Sequence, residues 1–225
     1  MLRARLVILI LGCALLAGAC GDDDSGDESA ATATPAADTA PICKPADKPK
    51  AKGEGNLPKP KQALAPTKTY VATVTTNCGE FQITLDAKRA PKTGGSFKYL
   101  ADKGFFDATT FHRIVSGFVI QGGDPKGDGT GGPGYSVVEA PPKDLVYGKG
   151  VVAMAKTGAE PAGTSGSQFF VVTAEDAGLP PDYALLGKVT SGQDVVDTIG
   201  VAEVDPSTEQ PVDPIVIESV KVAEQ

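Results

Sequence analysis

Phe111-His112-Arg113-Ile114-Val115-Ser116-Gly117-Phe118-Val119-Ile120-Gln121-Gly122-Gly123-Asp124 sets one arginine and one glutamine in an apolar run that closes on paired glycines. Arg113 and Gln121 stand eight residues apart, an even spacing. On an unbroken strand with a side-chain period of two, they and Phe111 share one face. Ser116-Gly117 interrupts the run with residues that favour a bend or bulge. An arginine keeps its charge and is costly to bury unpaired. Arg113 therefore has two readings: it meets a carboxylate on a neighbouring strand, or it lines a groove with apolar walls.

The chain on either side is rich in short strands. Tyr70 to Thr76 alternates, as does Phe81-Ile83-Leu85, and Asn77-Cys78-Gly79-Glu80 between them carries hairpin-turn residues. Pro91 opens a helix with Phe97, Leu100 and Ala101 at helical spacing and Gly104 as its stop. Gly94-Gly95 inside it costs about 1 kcal/mol each relative to alanine. Phe105 to Gln121 gives two strands, and Gly122 to Gly134 a glycine-rich loop. That loop lacks the Lys-Ser/Thr ending of a phosphate-binding loop, and no clear helix follows it. Further strands are predicted at 151–155, 168–172, 184–189 and 214–222, and a second helix at 193–199. Many short strands with two helices predict an antiparallel sheet closed on itself.

The reactive inventory is small. His112 is the one histidine, so no histidine pair for a metal and no catalytic triad is at hand. No G-x-S-x-G elbow occurs; Thr164-Ser165-Gly166-Ser167 is not one. The formal charge of −7 argues against nucleic acid as a partner. What remains is a charged fork, an amide and apolar residues, a set that can bind a peptide or stabilise a twisted amide without metal or cofactor.

FHRIVSGFVIQGGD resembles the signature of the cyclophilin-type peptidyl-prolyl cis-trans isomerases. Gly166-Ser167-Gln168-Phe169-Phe170, about fifty residues on, resembles the family's second block. The resemblance implies a mainly β fold: a closed eight-stranded antiparallel barrel capped by two α-helices, over residues 69–225. It implies rotation of X–Pro bonds in proline-containing polypeptides. Arg113 becomes the donor to the prolyl nitrogen, Gln121 holds a substrate carbonyl and orients Arg113, and Phe118 and Phe170 wall the proline pocket. Val119 stands where the family often has methionine. Ala155 and Lys156 lie in the segment that pairs with the bound peptide, Lys156 replacing a common asparagine. Gln168 faces the groove, Leu179 forms an apolar rim, and Tyr183 stands where a histidine is common. His112 lines the groove beside the arginine or is a hydrogen-bonded structural histidine. Residues 156–165 are longer than in the eukaryotic pattern. No tryptophan is present to contact cyclosporin, so cyclosporin binding is expected to be weak. The rival function is a proline-peptide-binding chaperone module with little turnover.

The N-terminus reads as an export signal over residues 1–20. Arg3 and Arg5 precede an apolar stretch, Leu6 to Leu16, short of the roughly 20 residues of a bilayer span. Ala17-Gly18-Ala19-Cys20 resembles the lipobox of bacterial lipoproteins, with Cys20 as the lipidation site. Cleavage at A-x-A in an ordinary secreted protein is the other reading, and Cys13 is a weaker lipobox. Loss of Arg3 and Arg5 would take the formal charge to about −9. Residues 21–68, Asp/Ala-rich and then Lys/Pro-rich, read as a disordered tether. The expected protein is an extracytoplasmic monomer, lipid-anchored to the cell membrane. In an oxidising compartment Cys43 and Cys78 either form a disulfide or remain two separate thiols; the disulfide is the favoured expectation.

Overall fold

The computed structural model describes residues 42–225. The expected export signal over residues 1–20, the expected lipidation site Cys20 and the first part of the expected tether lie outside the described residues.

The chain opens with a hairpin, β1 (Tyr70–Thr76) and β2 (Gly79–Leu85), whose buried positions alternate as the sequence does. Helix α1 (Pro91–Asp102) follows, with Pro91 in the first turn where a missing N–H costs nothing. The opening motif folds as a second hairpin, β3 (Thr109–Val115) and β4 (Val119–Asp124), turning at Ser116-Gly117 with Gly117 at φ 67°. The remaining elements are β5 (Val137–Val138), β6 (Val151–Met154), β7 (Thr164–Ser165), β8 (Phe169–Val172), β9 (Leu185–Ser191), α2 (Gln193–Gly200) and β10 (Val216–Glu224).

Eight strands close in the order β1-β10-β3-β4-β8-β6-β9-β2, each paired antiparallel to its neighbours. This is the two-helix barrel that the sequence predicts. The paired β5 and β7 form a small separate sheet. At two residues each, they are too short to carry a readable alternation.

Apolar residues divide into two clusters. The larger draws Phe81, Ile83, Phe111, Ile120 and Phe169 from the strands and Phe97, Leu100, Val196 and Ile199 from the helices. Phe97 stacks on Phe106 at 4.8 Å and meets Phe169 edge-on at 5.6 Å. Burying each such ring stabilises the fold by about 1.5–3 kcal/mol. In the second cluster Val119, Ala153, Phe170, Val172 and Leu185 come from alternate residues of β4, β6, β8 and β9, so it lies on the other face of that sheet, with Leu145 and Tyr147 added from the loop before β6.

The expectation of a free tether up to residue 68 is corrected. Residues 42–68 hold no helix or strand, yet their backbone is bonded to the barrel. Lys44 N–H donates to Asn77 O at 2.8 Å, Lys52 N–H to Pro125 O at 2.8 Å and Gly55 N–H to Gly132 O at 2.8 Å. Leu57 N–H donates to Pro133 O at 3.0 Å and Leu64 N–H to Pro91 O at 2.9 Å. Leu64 is buried in the larger cluster. A Lys/Pro-rich segment cannot build a core of its own, but it can satisfy its N–H groups on a preformed surface. It lies around the barrel as a belt. The expected Cys43–Cys78 disulfide is present, with S–S 2.07 Å, and pins the start of the belt to the first hairpin.

Candidate functional site

The site is a row across five adjacent strands. Arg113 on β3 faces Gln121 on β4; Gln121 faces Phe170 on β8; Phe170 faces Ala153 on β6; Ala153 faces Leu185 on β9. Cross-strand partners share a face, so this register alone brings a cation, an amide and an apolar floor together.

Phe111 does not share that face. The register slips between Phe111, opposite Gly122, and Arg113, opposite Gln121, so two steps on β3 match one on β4. His112 is the extra residue of this bulge. A bulge bends its strand and re-aims the neighbouring side chains. Phe111 is fully buried in the larger cluster, while the Arg113 side chain is 37% exposed. The even spacing of Arg113 and Gln121 is thus a property of a hairpin rather than of one strand.

Arg113 meets a carboxylate, as the first reading of its charge has it, but one in the loop before β10 and not on a neighbouring strand. Its Nε donates to Glu209 Oε2 at 2.6 Å, and both side chains remain partly open to solvent. Gln121 does not hold the arginine: its Nε2 donates to Gln168 Oε1 at 3.0 Å. Gln168 in turn donates through its own Nε2 to Gly129 O at 3.0 Å and Gly131 O at 2.9 Å. No hydrogen bond joins Gln121 to Arg113; the bonded partner of the guanidinium is Glu209, and Gln121 and Gln168 brace the glycine-rich loop.

Phe170, Ala153 and Leu185 carry the row into the second apolar cluster, with Phe118, Ala155, Leu179 and Tyr183 packed around its rim. Val119 and Phe170 are buried in its floor. The rings of Tyr147, Phe170 and Tyr183 meet at 5.4–6.3 Å between centroids. The Tyr147 hydroxyl donates to Tyr183 O at 2.6 Å and accepts Tyr183 N–H at 3.0 Å. Burial pushes its pKa up to about 12, so this bracket keeps its proton. Tyr147 and Glu209 were not singled out in the sequence. Both sit in loops whose spacing carries no signal, and only the fold brings them to the row.

Gln121, Ala155 and Gln168 also line a cleft of about 810 Å³, walled by residues 129–136 and by Thr157 and Glu160. Glu54 of the belt stands in the same wall and pairs with Lys126 at 2.7 Å. Ala155 N–H is already paired with Gln168 O at 2.9 Å. Lys156 lines the cleft, but its ammonium does not project freely there. The side chain is 5% exposed, and Nζ meets Asp182 at 2.6 Å, Glu160 O at 3.2 Å and Thr157 O at 3.3 Å. It also lies 5.5 Å from the centre of the Tyr183 ring. Lys156 thus ties the 157–160 segment to Asp182.

His112 is not brought into the cleft. It is buried and borders a small hollow with Lys48, Thr110, Gly127, Gln210 and Pro211. Neither ring nitrogen has a hydrogen-bond partner among the described protein groups, so it is not the hydrogen-bonded structural histidine either. Burial lowers its pKa, and Arg113 adds to that; Asp124, the nearby Thr110 backbone, which makes no well-formed hydrogen bond to the ring, and Asp128 oppose it. The neutral imidazole is therefore favoured.

Residues 71–222 match the family model described as cyclophilin type peptidyl-prolyl cis-trans isomerase. The chain is 40% identical over 170 residues to peptidyl-prolyl cis-trans isomerase B of Streptomyces anulatus, covering 67% of this chain and 95% of that protein. It is 36% identical over 177 residues to peptidyl-prolyl cis-trans isomerase A of Mycobacterium tuberculosis, covering 71% of this chain and 95% of that protein. Among solved structures, a cyclophilin-type isomerase of Cryptosporidium parvum superposes with a TM-score of 0.65 at 30% identity, over 70% of this chain and 99% of that one. The same protein was also crystallised in the presence of the dipeptide Ala-Pro, and that structure superposes with a TM-score of 0.64. With these matches and the barrel they describe, the chain belongs to the cyclophilin-type peptidyl-prolyl cis-trans isomerases.

Proposed function

We propose that this isomerase works on exported proteins at the outer face of the cell membrane, and that the Arg113 row is where it does so. An X–Pro bond resists rotation by about 18–20 kcal/mol because its C–N bond is partly double. Uncatalysed exchange takes tens of seconds or more. A catalyst must favour the twisted amide over both planar forms. As the bond twists, the prolyl nitrogen pyramidalises and gains a lone pair. The terminal N–H groups of Arg113, left open by a Glu209 contact made through Nε, donate to that lone pair. Phe118, Val119, Phe170 and Leu179 take the proline ring, and the second N–H of Gln121 Nε2 takes a substrate carbonyl. Ala155, Lys156 and Gln168 border the residues before proline, and Tyr183 closes the apolar side.

The observation that supports this reading best is the placing of Arg113 and Phe170 one strand apart, on either side of Gln121. Exchange spectroscopy on an Ala-Pro peptide tests it. Arg113→Ala is expected to lower the catalysed rate by about 100-fold, as loss of one preorganised donor does. An unchanged rate would refute the assigned role. Tight binding of the peptide with no faster exchange would instead favour a chaperone module.

Location rests on the sequence. The apolar stretch, Ala17-Gly18-Ala19-Cys20 and the Cys43–Cys78 disulfide together favour export, lipidation at Cys20 and an oxidising compartment. Incorporation of labelled palmitate, lost in Cys20→Ala, tests the anchor. We also expect a monomer with weak cyclosporin binding.

A further inference from the structure

We propose that Glu209 is the positioning residue that aims Arg113 at the substrate. The inference rests on Arg113 being the donor to the prolyl nitrogen, as argued above.

Three observations converge on Glu209. Its carboxylate meets Arg113 Nε at 2.6 Å and holds that N–H alone, which leaves the two terminal nitrogens free of protein acceptors among the described residues. Its carbonyl accepts Ile114 N–H at 2.8 Å, so backbone and side chain grip consecutive residues of β3. Its backbone stands at φ 58°, a conformation that favours glycine and is uncommon for a side chain of this kind.

The surrounding loop fixes this posture. Asp205 O accepts Glu209 N–H at 2.8 Å, Asp205 N–H reaches Gln210 O at 2.9 Å, and Asp205 Oδ1 takes Ser207 N–H at 2.7 Å. Val204 and Pro211 then pair across the base of the loop. A glycine would make the same turn without strain. Strain kept at one residue that also contacts the cation of the site is an observed outlier pointing to function.

The need for such a residue follows from the bulge. His112 interrupts the β3–β4 ladder beside Arg113, and Gln121 is engaged with Gln168, so neither strand neighbour fixes the guanidinium. A free arginine samples many rotamers and loses that freedom on reaching the transition state. Held by Nε in advance, the fork presents its terminal N–H groups with less reorganisation. Glu209 contributes to rate, not to the binding of the planar peptide.

The test uses the full chain and an Ala-Pro peptide. Glu209→Gly is expected to lower kcat by at least five-fold with KM nearly unchanged, while the thermal midpoint stays level or rises because the strain is relieved. Glu209→Gln, whose amide oxygen still accepts the Nε proton, is expected to restore most of that loss. In an Arg113→Ala background, Glu209→Gly is expected to have no further effect. Wild-type kcat in Glu209→Gly, or losses that multiply in the double variant, would overturn the proposal. If Arg113→Ala itself keeps the wild-type rate, the donor reading fails first, and the inference with it.

Discussion

Gly95 lies directly beneath the backbone of the belt. A Cβ at Gly95 would overlap the Gln62 carbonyl oxygen and stand 2.9 Å from Ala63 Cα. Its neighbour Gly94 faces the Leu64 side chain instead, with a Cβ 2.5 Å from Leu64 Cδ1. The glycine pair that weakens α1 in isolation is thus the seat on which residues 62–64 rest. Alanine gains about 1 kcal/mol of helix propensity at either position. At Gly95 that gain is set against overlap with main chain that cannot rotate away, which costs about 1–3 kcal/mol. Gly95→Ala is therefore expected to be neutral or to destabilise by up to about 2 kcal/mol, and to loosen protection of the belt amides in hydrogen exchange. Gly94→Ala meets a side-chain tip and is expected to be milder. A Gly95→Ala protein stabilised by the full propensity gain, with belt protection unchanged, would show that the belt does not rest there.

The barrel was legible in the chain because each strand carries its own signal. Tyr70–Thr76 alternates, and the Gln168–Phe170 block and the Arg113 hairpin hold residues whose spacing is local. The belt was not, because Lys/Pro-rich sequence describes what a segment lacks, and its contacts are backbone bonds to Pro125, Gly132 and Pro133 that no side chain announces. The Arg113–Glu209 pair joins residues ninety-six positions apart. Side-chain periodicity cannot report such a pairing, and the bulge at His112 defeated the one parity argument that was available.

The disulfide closes a separation of 35 residues, from the belt to the β1–β2 turn. Chain-entropy arguments give a loop of that size about 3–4 kcal/mol of stabilisation. Cys43→Ser with Cys78→Ser is expected to lower the unfolding free energy by about that much in urea titration. The Lys44 amide should also lose protection, since its bond to Asn77 O adjoins the bridge. If unfolding is unchanged while that amide opens, the belt peels away before the barrel melts and the bridge serves the belt alone.

His112 gives stability a pH dependence of definite sign. Burial lowers its pKa in the folded state, so the unfolded chain binds the proton first as pH falls. Stability is complete above the ordinary histidine range, near pH 6.5, and declines as pH falls from there toward the depressed value. The slope contributed by one group cannot exceed about 1.4 kcal/mol per pH unit. Urea midpoints between pH 7.5 and 5 are expected to fall in the native chain and to be flatter in His112→Gln. The carboxylates with lowered pKa, Asp128, Asp205 and Glu224, lose stabilising charge only in more acid solution and do not shape this window. A native chain with level midpoints across that range would show that the imidazole accepts its proton without cost.

Lys156 and Asp182 connect the two loops that border the site. The Lys156 side chain is nearly sealed, whereas Asp182 keeps 38% of its exposure. Breaking a fully buried pair costs about 3–5 kcal/mol; with one partner in solvent the loss falls to about 1–2 kcal/mol. Lys156→Met keeps the aliphatic packing over Tyr183 but releases Asp182 and the carbonyls of Thr157 and Glu160. Thr157 and Glu160 wall the cleft next to Ala155, so under the proposed binding mode their loosening reaches the residues before proline and not the prolyl nitrogen. The expected result is a KM raised several-fold for a longer proline peptide, with kcat held and little change for an Ala-Pro dipeptide unit. A fall in kcat at constant KM would place Lys156 with Arg113 instead, because only an interaction confined to the transition state is lost in that way.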